Sequence, residues 1–251
     1  MNTATKILLV TGGSRGIGAA TASLAAEQGY AVCVNYLHNK EPADVLVESI
    51  KEQGGQAIAV QADVGVEAEV IQLFETVDKQ LGHITALVNN AGILDQQTRL
   101  EDMSVERWQK VLTTNVIGSF LCAREAVKRM SIQRGGAGGA IVNLSSTAAR
   151  LGAPNEYVDY AASKGAVESM TIGLAKEVAA EGIRVNAVRP GIIDTDIHTS
   201  GGEPNRVQRV KSTIPMLRGG EASEVAQAIL WLLSEQAAYT TGSFLDIAGG
   251  R

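Results

Sequence analysis

Tyr160 and Lys164 bound the run Tyr160-Ala161-Ala162-Ser163-Lys164, four residues apart. On a helix that spacing stacks the two side chains one turn apart on the same face. A tyrosine hydroxyl, with an ordinary pKa of ~10, is a poor acid or base at neutral pH. An ammonium beside it stabilises the phenolate and brings proton transfer into range. Taken alone, such a pair is more often surface decoration than chemistry. Tyr157 offers no rival pair, because the residue one turn on is Ala161.

A second feature with chemical content is Thr11-Gly12-Gly13-Ser14-Arg15-Gly16-Ile17-Gly18, between a short β-rich run and an Ala-rich helical pattern. Glycines at such a junction allow a tight turn, admit a pyrophosphate to the backbone N–H groups and let helix pack closely on strand. The helix N-terminus adds partial positive charge. A plain strand-to-helix turn rarely needs glycines at 12, 16 and 18 together. After the first strand of an alternating chain, the pattern reads as a dinucleotide cradle.

The elements that must position these residues alternate along the whole chain. Residues 6–10, 31–36, 56–61, 84–88, 140–144, 183–188 and 243–247 read as seven strands, several apolar on both faces. Unbroken apolar strands of this length suit a parallel sheet covered on both sides. Helical patterns fall at 17–28, 42–53, 66–81, 105–132, 160–180 and 222–234. In the last, Val225, Ile229, Leu232 and Leu233 recur at helical spacing. The expectation is an α/β fold: one domain, residues 1–251, with a doubly wound seven-stranded parallel sheet and helices on both faces. The glycine-dense stretch at 134–139 reads as a flexible helix-to-strand connection. The poorly periodic segment 194–220 reads as a lid.

Composition removes other classes. The 251 residues include 27 glycines, 45% hydrophobic and only 4% aromatic residues, so aliphatic side chains must fill the core. A net charge of −5 argues against nucleic-acid binding and against docking on an anionic membrane. Two cysteines and three scattered histidines make neither a disulfide framework nor a metal site. The apolar run after Lys6 is too short for a signal segment, and no stretch is long enough to span a bilayer. A soluble, cytoplasmic protein without metal is expected.

The glycine spacing and the motifs that follow it resemble the classical branch of the short-chain dehydrogenase/reductase family over essentially the whole chain. These motifs are Asn89-Asn90-Ala91-Gly92, Asn115, Ser145-Ser146, Tyr160 with Lys164, and Pro190-Gly191. Within the family the chain looks most like 3-oxoacyl-carrier-protein reductases and small sugar or alcohol dehydrogenases. The resemblance implies a Rossmann fold and hydride transfer between a nicotinamide and a carbonyl or secondary alcohol. Tyr160 would be the general acid/base, Ser146 the hydrogen-bond partner of the carbonyl oxygen, and Lys164 the cation that also holds the ribose. Asn115 would position a water linking Lys164 to solvent. Gly12, Ser14, Arg15, Gly16, Ile17 and Gly18 would form the pyrophosphate loop. Asp63 and Val64 would contact the adenine, with a helix N-cap as the plainer reading of Asp63. Asn90 or the Gly92 backbone would lie near the adenine ribose, while Asn89 tethers strands. Pro190, Gly191, Ile193 and Thr195 would meet the carboxamide and pyrophosphate.

Charge bears on which nicotinamide cofactor is used. An NAD-preferring fold places an acid about 20 residues past the glycine loop. Here the second strand ends Val34-Asn35-Tyr36-Leu37-His38-Asn39-Lys40, without a carboxylate. A 2′-phosphate would meet Asn35, Lys40 and, from the loop, Arg15. NADP(H) is therefore expected, with NAD(H) as the other candidate. One departure concerns the substrate: Tyr160 lies fourteen positions after Ser146, one more than the family spacing, which puts an extra residue within 152–159. Arg206, Arg209, Lys211 and Arg218 in the lid would either steer an acidic substrate or simply be solvated. Lys128 and Lys176 lie near where ketoacyl reductases carry basic residues for an acidic carrier. The family commonly forms homotetramers through its two long helices, here 105–132 and 160–180. The competing reading is a catalytically silent NADP-binding sensor or scaffold on the same fold.

Overall fold

The computed structural model describes residues 6–251. Seven parallel strands form one sheet in the order β3-β2-β1-β4-β5-β6-β7. They are β1 (Ile7–Val10), β2 (Ala31–Tyr36), β3 (Ala57–Gln61), β4 (Ala86–Asn89), β5 (Gly139–Leu144), β6 (Ile183–Pro190) and β7 (Phe244–Ile247). Every residue of β1, β2 and β4 is buried, as the doubly apolar sequence requires. In β1 the side chains alternate between two cores. Leu8 and Val10 join Ala22, Ala25, Ile229 and Leu232 on one face. Ile7 and Leu9 join Leu73, Phe74, Met130 and Val178 on the other. The single Rossmann-like domain is thus two aliphatic cores separated by one sheet.

The helices are α1 (Gly16–Glu27), α2 (Lys40–Glu52), α3 (Glu67–Gln80), α4 (Val105–Leu112), α5 (Gly118–Met130), α6 (Ala148–Leu151), α7 (Val158–Val178), α8 (Ile197–Ser200), α9 (Arg206–Val210) and α10 (Ala222–Leu233). The expected continuous helix over 105–132 is interrupted. Residues Thr113–Ile117 form a π-helical turn between α4 and α5, with Asn115 buried at its centre. Inserting one residue's worth of slack rotates the following helix and redirects a side chain inward, a device that apolar periodicity does not encode. The stretch 134–139 is likewise tighter than expected. Gly135 and Gly138 have φ of 87° and 79°, and a Cβ on Gly136 would lie 2.3 Å from the Arg129 carbonyl. It is a packed turn rather than a flexible connection. Between α8 and α10 the 194–220 segment carries only α9 and a single 3-10 turn.

The chain crosses from one half of the sheet to the other between β3 and β4, so β1 and β4 are neighbours at the switch point. In open α/β sheets the crevice outside the strand C-termini at that point is where ligands bind. A cleft of about 1100 Å³ lies there.

Candidate active site

The glycine loop leaves β1 and turns into α1 at the mouth of this cleft. Gly12 and Gly16 have φ of 57° and 53°, conformations that favour glycine. A Cβ on Gly18 would lie 2.5 Å from the Gly12 carbonyl oxygen and 2.6 Å from Asn90 Nδ2, so α1 packs on the loop with no spare volume. Neutral side chains tie the loop down. Asn90 Nδ2 donates to the carbonyls of Thr11 and Gly12 at 2.9 and 2.8 Å. Thr11 Oγ1 accepts from the N–H groups of Asn90 and Ala91, both at 3.0 Å.

Asn35 does similar work from β2. Its Oδ1 accepts from the Gly12 N–H at 3.2 Å, and its Nδ2 donates to the carbonyls of Val60 and Ala62. With both ends of the amide committed, Asn35 braces the cradle instead of offering a free group to a phosphate. Lys40 sits 3.3 Å from Asp44 on the first turn of α2 and is not part of the cleft wall. Arg15, His38 and Asn39 are on that wall. Asp63 is not the N-cap of α3, a position held by Val66. Its Oδ1 instead accepts from the Gly65 N–H at 2.8 Å, shaping the loop before the helix.

At the other end of the cleft, Ser146, Tyr160 and Lys164 share the lining. The first turns of α7 carry Tyr160 and Lys164, and Lys164 Nζ lies 5.5 Å from the centre of the Tyr160 ring. Burial pushes the Tyr160 hydroxyl up to about 12, with hydrogen bonding from Ser146 opposing the rise. Burial also brings the Lys164 ammonium down to about 8. The ammonium donates to the Leu144 carbonyl at 2.7 Å. Both shifts have one cause: a low-dielectric wall disfavours the charged form of each group.

Asn115 and Gly18 are the two expected site residues not among the cleft lining. Asn115 clamps Ile93 with both ends of its amide, accepting from its N–H at 2.8 Å and donating to its carbonyl at 2.9 Å. Its Nδ2 also donates to Ser163 Oγ, which in turn donates to the Tyr160 carbonyl. A Cβ on Gly92 would lie 3.3 Å from Lys164 Nζ and 3.5 Å from Asn115 Oδ1, so a glycine here leaves space for both. Asn89 tethers strands as expected, donating to Asn143 Oδ1 on β5 at 2.9 Å.

Pro190, Gly191, Ile193 and Thr195 all line the cleft, as do Ser14, Ile17 and Val64. Thr195 overhangs the loop, its Cγ2 lying 3.3 Å from where a Gly16 Cβ would be. Ile193 is buried, and its carbonyl takes a 2.8 Å hydrogen bond from His198 Nε2, which must therefore carry that ring's proton.

Tyr157 and Ser145, neighbours of the catalytic candidates in sequence, are occupied elsewhere. Tyr157 donates its hydroxyl to the Gly201 carbonyl at 3.2 Å. Ser145 donates to Glu168 Oε1 at 2.7 Å. Glu168 also grips Arg189 through both carboxylate oxygens, at 2.5 and 2.8 Å. Three supporting residues escape sequence reasoning: Glu168, and Arg107 with the buried Asp159, whose Nε–Oδ2 distance is 2.7 Å. Asp159 Oδ1 additionally accepts from the Tyr160 N–H. For Glu168 there was a signal, since it continues the Tyr160–Lys164 stripe by one further turn. Arg107 is 52 positions from Asp159 and had none.

The cations at 206, 209 and 218 are paired. Arg206 meets Glu156 and Glu203, Arg209 meets Glu203, and Arg218 meets Glu224. Lys211 donates to Gln208. Lys128 lies 2.8 Å from Glu125, and Lys176 is on the last turn of α7, far along the helix from Tyr160.

A profile of the family described as Enoyl-(Acyl carrier protein) reductase matches residues 12–251. The chain is 60% identical over 245 residues to an uncharacterized oxidoreductase, YgfF, of Escherichia coli K12, covering 98% of this chain and 99% of the relative. It belongs to the short-chain dehydrogenase/reductase family. This family member is also 40% identical to a 3-oxoacyl-acyl-carrier-protein reductase, FabG, of Staphylococcus aureus Mu50, over 98% of each chain. Glucose 1-dehydrogenase 2 of Bacillus subtilis is 38% identical, over 98% of this chain and 94% of the relative. A solved dehydrogenase/reductase from Sinorhizobium meliloti superposes with a TM-score of 0.90 at 34% identity, covering 98% of this chain and 95% of that one. The short-chain dehydrogenase/reductase is accordingly an oxidoreductase of a nicotinamide-dependent family. Among its described residues no helix is long and apolar enough to cross a membrane.

Proposed function

We propose that this protein is an NADPH-dependent reductase of ketones or aldehydes, able to run in reverse on the secondary or primary alcohol. The observation that carries the reading is the meeting of Ser146, Tyr160 and Lys164 on one wall of a cleft whose other end is the glycine cradle. The cradle fits a dinucleotide, because its glycines leave no volume for a Cβ and its backbone faces the opening. Bound NADPH would supply the hydride.

The chain's own groups would do the rest. Ser146 Oγ would donate to the substrate carbonyl oxygen and fix its distance from Tyr160. The Tyr160 hydroxyl, protonated across the neutral range, would deliver the proton to that oxygen as charge develops. Lys164, held against the Leu144 carbonyl, would stabilise the resulting phenolate. Asn115, with its π-helical turn, would keep Ile93 and α7 in register. NADP(H) over NAD(H) is supported by the missing carboxylate at the end of β2 and by Arg15, whose guanidinium has no carboxylate within 4.0 Å among the described residues. Exposed Ile117 and Phe120 on the α4–α5 side and Ile172 on α7 support a homotetramer built on these helices, which sedimentation of the purified protein would test.

The deciding experiment is NADPH oxidation across ketones, aldehydes, quinones, keto-sugars and acetoacetyl thioesters, repeated with NADH and with Tyr160→Phe. Turnover should fall at least about 1000-fold in the variant while NADPH affinity is kept. Unchanged turnover would remove Tyr160 from the mechanism. Cofactor binding without reduction of any class would establish the silent sensor instead.

A further inference from the structure

Beyond Tyr160 the cleft ends under a roof made from the 152–157 loop and the 194–220 segment. Its lining there is aliphatic: Ile93, Leu94, Leu151, Pro154, Ile192 and Ile197. Arg206 is set into it beside Glu156. Arg206 is the single buried arginine among the described residues, with 8% of its surface exposed. Its guanidinium lies 5.4 Å from the Tyr157 ring centre and so stacks on an aromatic wall.

A buried arginine facing a substrate end ordinarily suggests a carboxylate or phosphate partner. Here that role is taken by the protein itself. Nη1 donates to Glu156 Oε1 at 3.2 Å and to Glu203 Oε2 at 2.9 Å, and Nη2 donates to Glu156 Oε2. Glu203 also takes Arg209, whose NH2 group donates at 2.9 Å. The four groups, two arginines and two glutamates, sum to zero. An incoming anion would have to displace Glu156 from Arg206 and leave it only the looser 3.6 Å contact with Arg209, or else approach two existing carboxylates. A neutral, apolar chain disturbs none of these bonds and covers aliphatic surface.

We infer that the substrate of this site is an uncharged, largely apolar carbonyl compound or its alcohol, and that Glu156 sets the preference by occupying Arg206. This rests on the reductase reading above. It departs from an acidic or carrier-bound substrate, because the roof's three arginines, Arg206, Arg209 and Arg218, all carry carboxylate partners.

The test compares ethyl acetoacetate with acetoacetate, and with acetoacetyl-coenzyme A as a polyanionic thioester, in NADPH oxidation by the full chain. Wild type should favour the ester over the acid by at least about tenfold in kcat/KM, which corresponds to the loss of one well-placed charge interaction. Glu156→Gln leaves Glu203 as the one carboxylate on Arg206, gives the cluster a net positive charge, and should narrow that ratio at least about fivefold, mainly by lowering KM for the acid. The double variant Glu156→Gln/Arg206→Gln should restore the wild-type ratio, because Arg209 and Glu203 alone again sum to zero. If either variant fails to fold, the wild-type ratio alone still decides. A wild-type preference for acetoacetate or the coenzyme A thioester overturns the inference and leaves the reductase standing. NADPH binding with no reduction of any of the three, nor of the wider carbonyl panel, overturns the reductase reading and the inference with it.

Discussion

The floor and the roof of the cleft are held by different physics. The floor, where β1 meets α1, is tied by neutral amides and hydroxyls: Asn35, Asn90 and Thr11 bind backbone groups directly, and glycines close the remaining space. The roof is tied by ionised pairs, Arg206 with Glu156 and Glu203, and Arg209 with Glu203. Neutral bonds in a packed interior are indifferent to salt and pH, but they tolerate no change of volume. The roof's ion pairs, which reach the edge of solvent through Arg209, are softer to both. Lys164 lies at the seam, a charge buried in the hard part.

The comparison can be broken most severely on the floor. Gly18→Ala sets a methyl 2.5 Å from the Gly12 carbonyl. It should weaken NADPH binding at least about 100-fold and cost ~2 kcal/mol of stability. Cofactor fluorescence titration and urea unfolding measure the two, and near-wild-type binding would show that the loop has slack.

Next in size is the seam. Lys164 has its pKa brought down from 10.5 to about 8 by burial. Between those values the unfolded chain binds the proton that the folded chain has released, so stability rises with pH across that window. Relative to Lys164→Met, wild type should gain up to ~3 kcal/mol on going from pH ~7.5 to pH ~10. Parallel denaturation curves that stay equally spaced would mean that the ammonium is not desolvated.

The smallest effect belongs to the roof. Arg209 holds the Glu203 carboxyl down to about 2, with Gln97 and Arg206 assisting. A depressed carboxylate contributes stability above its unfolded pKa, and that contribution is lost as pH falls through about 2. Glu203→Gln should cost less than about 1 kcal/mol in unfolding experiments, and added salt should shrink the difference further. A larger, salt-insensitive loss would move the roof into the same class as the floor.

How far the sequence is legible follows the same line. Strand positions are readable to within a residue or two at most ends, because burial on both faces leaves β1, β2 and β4 without polar interruptions. The pairing of α10 residues Val225, Ile229, Leu232 and Leu233 with the core follows from spacing alone. The π-helical turn at Thr113–Ile117 was not legible, since one extra residue in a helix leaves the apolar pattern nearly unchanged. Asn35 lines the cleft at the glycine cradle, but the direction of its amide is not legible from the sequence. A strand neighbour supplies the two carbonyls that take its Nδ2, and those lie 25 and 27 positions away.

Local order alone determined the alternation of strand and helix, the glycine cradle and the one-turn spacing of Tyr160 and Lys164. Each of these depends on residues close in the chain, where period and sterics act directly. Only the tertiary structure decided which polar groups remain free to act. Glu156 cancels Arg206 from 50 positions away, and Asp159 takes Arg107 from 52. Whether a charge is available or already answered depends on such distant partners, because electrostatic neighbours are set by folding rather than by order along the chain.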